Sequence, residues 1–102
     1  MAMALRWQRV WVGMADSDLI RAGRELMAAA RRARARGRPA EAKLAELALR
    51  RECAKLDRIS DQAAKALRSG SPSRIERAQT LLVASRLDCE LFFRRLAKEL
   101  DT

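Results

Sequence analysis

The sequence predicts an all-α fold, an antiparallel helical bundle built on a long helical hairpin (about residues 39–69 and 72–100) with one or two N-terminal helices packed on it. Three observations lead there. Only two prolines and four glycines interrupt 102 residues rich in alanine and leucine, a mix that favours helix throughout. The stretch Ser69-Gly70-Ser71-Pro72-Ser73 is a centre of symmetry: Leu67 and Ile75, Ser60 and Leu82, Cys53 and Cys89, and Leu49 and Phe93 each lie equally far from it. On both sides the seam positions recur at alternating spacings of four and three, the pattern of helices packed as in a coiled coil. The chain reads as one domain, 1–102, with basic N-terminal helices over 1–38 and the hairpin over 39–102.

The first element expected is a short amphipathic helix over 3–12, with Met3, Trp7, Val10, Trp11 and Met14 at helical spacing and Arg6 and Arg9 on the other side. Gly13 can stop it, and Asp16 or Ser17 can cap the next. That second helix is expected from about Ser17 to Arg36, with Leu19, Ile20, Gly23, Leu26, Met27 and Ala30 as its apolar stripe. The stripe fails at Arg34, so the arginine-rich end should overhang the core. Pro39 suits the first position of a third helix running to about Arg68, with a seam of Leu49, Cys53, Leu56, Ser60, Ala63 and Leu67. The fourth begins at Ser71 or Ser73, where Ser73 and Glu76 fit a capping box, and continues to about Leu100 along Ile75, Ala78, Leu82, Ser85, Cys89, Phe92 and Leu96. Leu44, Leu47, Leu81, Leu87 and Leu91 lie off the seam, so another helix is expected to cover them, the four aromatics to gather near one end, and leftover apolar surface to make a dimer.

Charge narrows the function classes. The net charge is +9, and it is uneven: residues 1–38 hold nine arginines against Asp16, Asp18 and Glu25, while the hairpin is nearly balanced. Such a field attracts polyanions, either nucleic acid or an acidic protein. The expected phosphate-contacting set is Arg31, Arg32, Arg34, Arg36 and Arg38, continued by Arg24 and Arg21, because guanidinium forks match phosphate geometry and keep their charge. Cations near a helix C-terminus are also favoured by the helix dipole alone, by ~0.3–1 kcal/mol each. Trp7 and Trp11 form a candidate partner-binding pair, with core burial as the alternative.

Around the central turn, Ala64-Lys65-Ala66-Leu67 followed by Ser71-Pro72-Ser73-Arg74-Ile75-Glu76-Arg77 resembles the helix-turn-helix of phage-repressor-like DNA-binding domains. The resemblance implies that Ser71, Ser73, Arg74 and Arg77 face a major groove. It covers only about residues 62–77, its turn is one residue too long and lacks the family's apolar residue, and a capped hairpin turn accounts for the same residues.

Enzyme chemistry has little to build on, because the chain has no histidine, no glycine-rich phosphate loop and no nucleophile motif. Cys53 and Cys89 are two thiols where zinc needs four ligands, so they are expected to be reduced, small buried hydrophobes, with no metal or other cofactor. No secretory signal is recognised and no apolar run approaches the ~18 residues of a membrane span, so a cytoplasmic protein off the membrane is expected. Two functions follow as expectations. The first is a non-enzymatic polyanion-binding protein acting through its arginine-rich helix end. The second is a helical adaptor or regulator, a homodimer or a partner in a helix bundle, with no small-molecule substrate.

Overall fold

The computed structural model describes the backbone of residues 2–102 and the side chains of residues 18–102. It forms α1 (Ala2–Ala35), α2 (Pro39–Ser69) and α3 (Pro72–Asp101), with no strand among the described residues. Each helix packs on both others. Arg34 of α1 bonds Glu46 of α2 near their junction, and Glu52 of α2 meets Cys89 of α3. Arg32 of α1 reaches Asp101 at the far end of α3. These contacts set α2 antiparallel to its neighbours and leave α1 and α3 parallel. The bundle is a rod of 52 × 19 × 19 Å, its long axis set by helices of 30 to 34 residues at about 1.5 Å per residue.

Both junctions are built from glycine and proline in their favoured places. Gly37 takes a left-handed φ of 79°, and the Arg38 N–H returns to the Ala33 carbonyl (2.9 Å) while the Gly37 N–H returns to that of Arg34 (3.2 Å). This pair of bonds is a Schellman stop. Pro39 then opens α2 at a position whose N–H would have no helical partner. Gly70, with φ 69°, ends α2 in the same left-handed conformation.

The expected Ser73–Glu76 capping box does not form. Pro72 is already helical, Ser71 is the cap residue without a side-chain cap bond, and the Ser71 and Ser73 hydroxyls lie 3.3 Å apart. The resemblance to a helix-turn-helix also gives way. That motif crosses its helices at about 90–120°, whereas here helices of 31 and 30 residues lie antiparallel along each other.

α1 runs unbroken through Gly13, so a single N-terminal helix packs on the hairpin, in place of a short helix over 3–12 followed by a second from Ser17. Continuity sets the backbone of residues 7 and 11 roughly 18–24 Å along the axis from Gly23. The side chains of Trp7 and Trp11 lie outside the described residues, and with them the expected gathering of the four aromatics.

The core is an alanine core. Among the described residues, seven of the twelve that are buried are alanine: Ala22, Ala29, Ala30 and Ala33 on α1, Ala42 and Ala45 on α2, and Ala97 on α3. Cys89, Phe93 and Leu100 of α3 pack over them with Leu26 of α1, and Leu82 is buried outside this cluster. Alanine faces let helix axes approach the near end of the roughly 8–10 Å range. Larger groups then fill the remaining space; Phe93 and Leu26 are the largest fully buried side chains, each worth about 1.5–3 kcal/mol.

This packing corrects three expectations. The stripe of α1 is turned towards Ala22, Ala29 and Ala33, which leaves Ile20 and Met27 exposed. Cys53 is exposed, not buried in the seam. The second apolar set also stays uncovered, with Leu44, Leu47, Leu81, Leu87 and Leu91 all exposed. α1 lies on one side of the hairpin only and cannot reach them.

The glycines provide a test with opposite signs. A Cβ on Gly23 would meet only Leu49 Cδ1 at 3.9 Å, so Gly23→Ala is expected to stabilise the fold by about 0.5–1 kcal/mol through helix propensity. Gly37→Ala and Gly70→Ala place a side chain at positive φ and are expected to cost about 1–2 kcal/mol each. Urea unfolding monitored by circular dichroism reads all three.

Candidate interaction surfaces

The arginine-rich end of α1 sits against the C-terminal end of α3, and most of its guanidinium groups are turned onto the chain itself. Arg32 grips Asp101 with two bonds, Nε to Oδ1 at 3.0 Å and Nη2 to Oδ2 at 2.9 Å. Arg36 Nη2 and Arg38 Nη1 both donate to the Leu100 carbonyl, at 2.8 and 3.1 Å. That carbonyl belongs to the last turn of α3, where no further helical N–H is available. Arg36 also stands 3.8 Å from Asp101, and Arg38 pairs with Glu41. On the opposite edge Arg34 grips Glu46, Nη1 to Oε1 at 2.8 Å and Nη2 to Oε2 at 3.3 Å. Arg34 therefore does not interrupt the core stripe, which passes through Ala30 and Ala33. It sits at the border with α2 and ties the two helices together.

The bidentate bonds govern the acids. Hydrogen bonds from Arg32 hold the Asp101 carboxyl below its ordinary range, helped by the charges of Arg32 and Arg36. Arg34 does the same to Glu46, with a smaller contribution from Arg50. Asp101 in turn raises the Arg32 guanidinium.

The rest of the expected phosphate-binding set is arranged differently. Arg21, Arg24 and Arg31 are exposed on α1 and make no ion pair with another described residue. Ile20, Arg24, Met27 and Arg31 follow one another at spacings of four, three and four, so this face mixes exposed apolar groups with cations. The structure thus divides the seven arginines into four that join helices and three that face outward.

Two further surfaces carry chemistry. On α3, Val83, Leu87 and Leu91 are 46%, 53% and 54% exposed. Spaced four apart, they form one apolar stripe on the side of the helix away from Cys89 and Phe93. Leu87 and Leu91 stood out in the sequence as residues off the seam; Val83 did not, although the same spacing reaches it. Near the hairpin turn, α2 and α3 enclose a shallow groove of about 400 Å³ with an apolar floor of Ile59, Ala63, Ala66, Ala78 and Leu81. Lys65 lines its α2 side, and Arg74 and Arg77 its α3 side.

The two thiols are free. Cys89 Sγ donates to Glu52 Oε2 at 3.6 Å, and burial, with the Glu52 charge behind it, pushes the thiol up to about 12. Partial desolvation and the charges of Asp57 and Glu52 push Cys53 up as well. Both are thus protonated near neutral pH, which disfavours nucleophilic or metal-binding use. Among the described residues no helix is long and apolar enough to cross a membrane.

The ion pairs at the end of the rod predict an acid-sensitive stability. Asp101 and Glu46 titrate lower in the folded state than in the unfolded one. Their contribution is therefore complete above the unfolded values near ~4 and is lost as pH falls through the folded ones. Urea unfolding is expected to give a steady midpoint from about pH 7 to 5 and a falling one below about 4. The double change Asp101→Asn, Glu46→Gln should flatten part of that fall; an undiminished acid dependence in the double variant would show that these pairs contribute nothing.

Comparison with protein-family models, curated proteins and solved structures finds no match to this chain.

Proposed function

We propose that this protein is a non-enzymatic helical interaction module that self-associates through the outer face of α3. The observation that carries the reading is the stripe of Val83, Leu87 and Leu91, three large apolar side chains about half exposed in one line. Contiguous apolar surface of this kind marks association faces.

The charges along α3 favour a second copy running antiparallel. Glu76 lies eleven residues before Leu87 and Lys98 eleven after it. With Leu87 on the two-fold axis, Val83 of each copy meets Leu91 of the other, and Glu76 meets Lys98. Arg94, which would otherwise crowd that end, is paired with Glu90 at 2.8 Å within its own helix. A two-fold interface requires this self-complementarity.

Polyanion binding is a second reading, now supported by Arg21, Arg24 and Arg31 more than by the whole arginine run. These three are exposed and unpaired with described acids, whereas Arg32, Arg34, Arg36 and Arg38 are occupied within the chain. A duplex titrated across salt would give a steep loss of affinity if that face binds phosphates, and Arg21, Arg24 and Arg31 together should then account for the slope.

Sedimentation velocity across a concentration series tests the first reading. The unaltered protein is expected to dimerise in the micromolar range. Leu87→Glu should shift the equilibrium to monomer by about tenfold or more, because two like charges would meet on the axis, while the helical circular dichroism signal is retained. A concentration-independent monomer before any substitution would exclude self-association.

A further inference from the structure

Beyond self-association, we infer that the groove beside the hairpin turn is a docking site for an acidic amphipathic helix from another protein. Its floor is apolar and open, made by Ile59, Ala63 and Ala66 of α2 with Ala78 and Leu81 of α3. Alanines dominate the floor, so a visiting side chain can sink between the helices. Leu81 is the half-exposed member of that floor.

The borders decide what enters. Lys65 stands on one side and Arg74 and Arg77 on the other, with no acidic residue lining the groove. None of the three makes an ion pair with another described residue. The best electrostatic match is therefore a ligand with an apolar stripe flanked on both sides by carboxylates. The α2 border runs from Ile59 to Ser69 and the α3 border from Arg74 to Leu81. These spans, at ~1.5 Å per residue, accommodate roughly two to three turns of a partner helix. A phosphate backbone would match the cations but leave the apolar floor unused, so a helical peptide fits the groove better.

This site is separate from the stripe of Val83, Leu87 and Leu91, and the two can fail independently. The probe is a fluorescein-labelled three-heptad peptide of leucine and glutamate, read by fluorescence anisotropy against the intact protein. Saturable binding is expected for the unaltered protein and, equally, for Leu87→Glu. Arg74→Glu with Arg77→Glu should weaken it by about tenfold or more. Those reversals should leave the fold intact, because negative charge near a helix N-terminus is favourable, and circular dichroism checks this. Leu81→Asp should weaken binding similarly through the floor.

Two control ligands separate the sources of attraction: labelled polyglutamate without leucine and a short single-stranded DNA. The inference requires both to bind at least about tenfold more weakly than the peptide. It is overturned if the peptide shows no saturable change up to about 1 mM protein. Binding that ignores the Arg74 and Arg77 reversals, or equal binding of polyglutamate or DNA, would overturn it too; the last result would make the groove a general polyanion site.

Discussion

The close approach of α1 to the hairpin, made through Ala22, Ala29, Ala30 and Ala33, is the constraint on which the other features depend. Because these residues present only methyl groups, α1 settles deeply between α2 and α3. Phe93, Leu100 and Cys89 close over it from α3. The narrow core has two consequences. It brings the last turn of α1 level with the last turn of α3, and it leaves the far sides of α2 and α3 uncovered.

The first consequence turns much of the basic end of the chain to structural use. Four guanidinium groups reach acids or a carbonyl of neighbouring elements, two of them bidentately. Exposed ion pairs are individually worth little, with ~0–1 kcal/mol typical. Their arrangement here still fixes which helix ends meet, and the Leu100 carbonyl gains donors that the terminated helix cannot supply. The second consequence leaves leucines facing outward on α2 and α3, which is what gives the bundle its candidate association face and groove.

Much of the architecture was legible because its signals are local. Glycine needs no neighbour to take a positive φ, and proline opens a helix wherever it stands, so the breaks at Gly37-Arg38-Pro39 and Gly70-Ser71-Pro72 could be read directly. The mirrored apolar residues gave the hairpin register nearly as well, bringing Cys89 to the level of Cys53 but opposite Glu52. The phase of α1 was harder. Ile20 and Met27 outrank alanine in hydrophobicity, and only the depth of the cleft selects Ala22, Ala29 and Ala33 instead. The role of the arginines was hidden for a related reason: Arg32 and Asp101 are 69 positions apart, and only the parallel pairing of α1 with α3 joins them. Gly13 was read as a stop because glycine weakens a helix, yet α1 passes through it. A single mid-helix glycine costs about 1 kcal/mol, which a helix of 34 residues can absorb.

Cysteine cross-linking tests the central claim, that α3 pairs with itself around Leu87, most directly. In a Cys53→Ser, Cys89→Ala background, Leu87→Cys places a thiol on the proposed two-fold axis. Mild oxidation should then yield a disulfide-linked dimer, while Leu44→Cys, at a position 67% exposed but off the proposed interface, remains monomeric. Failure of Leu87→Cys to cross-link, or equal cross-linking of Leu44→Cys, would contradict the pairing.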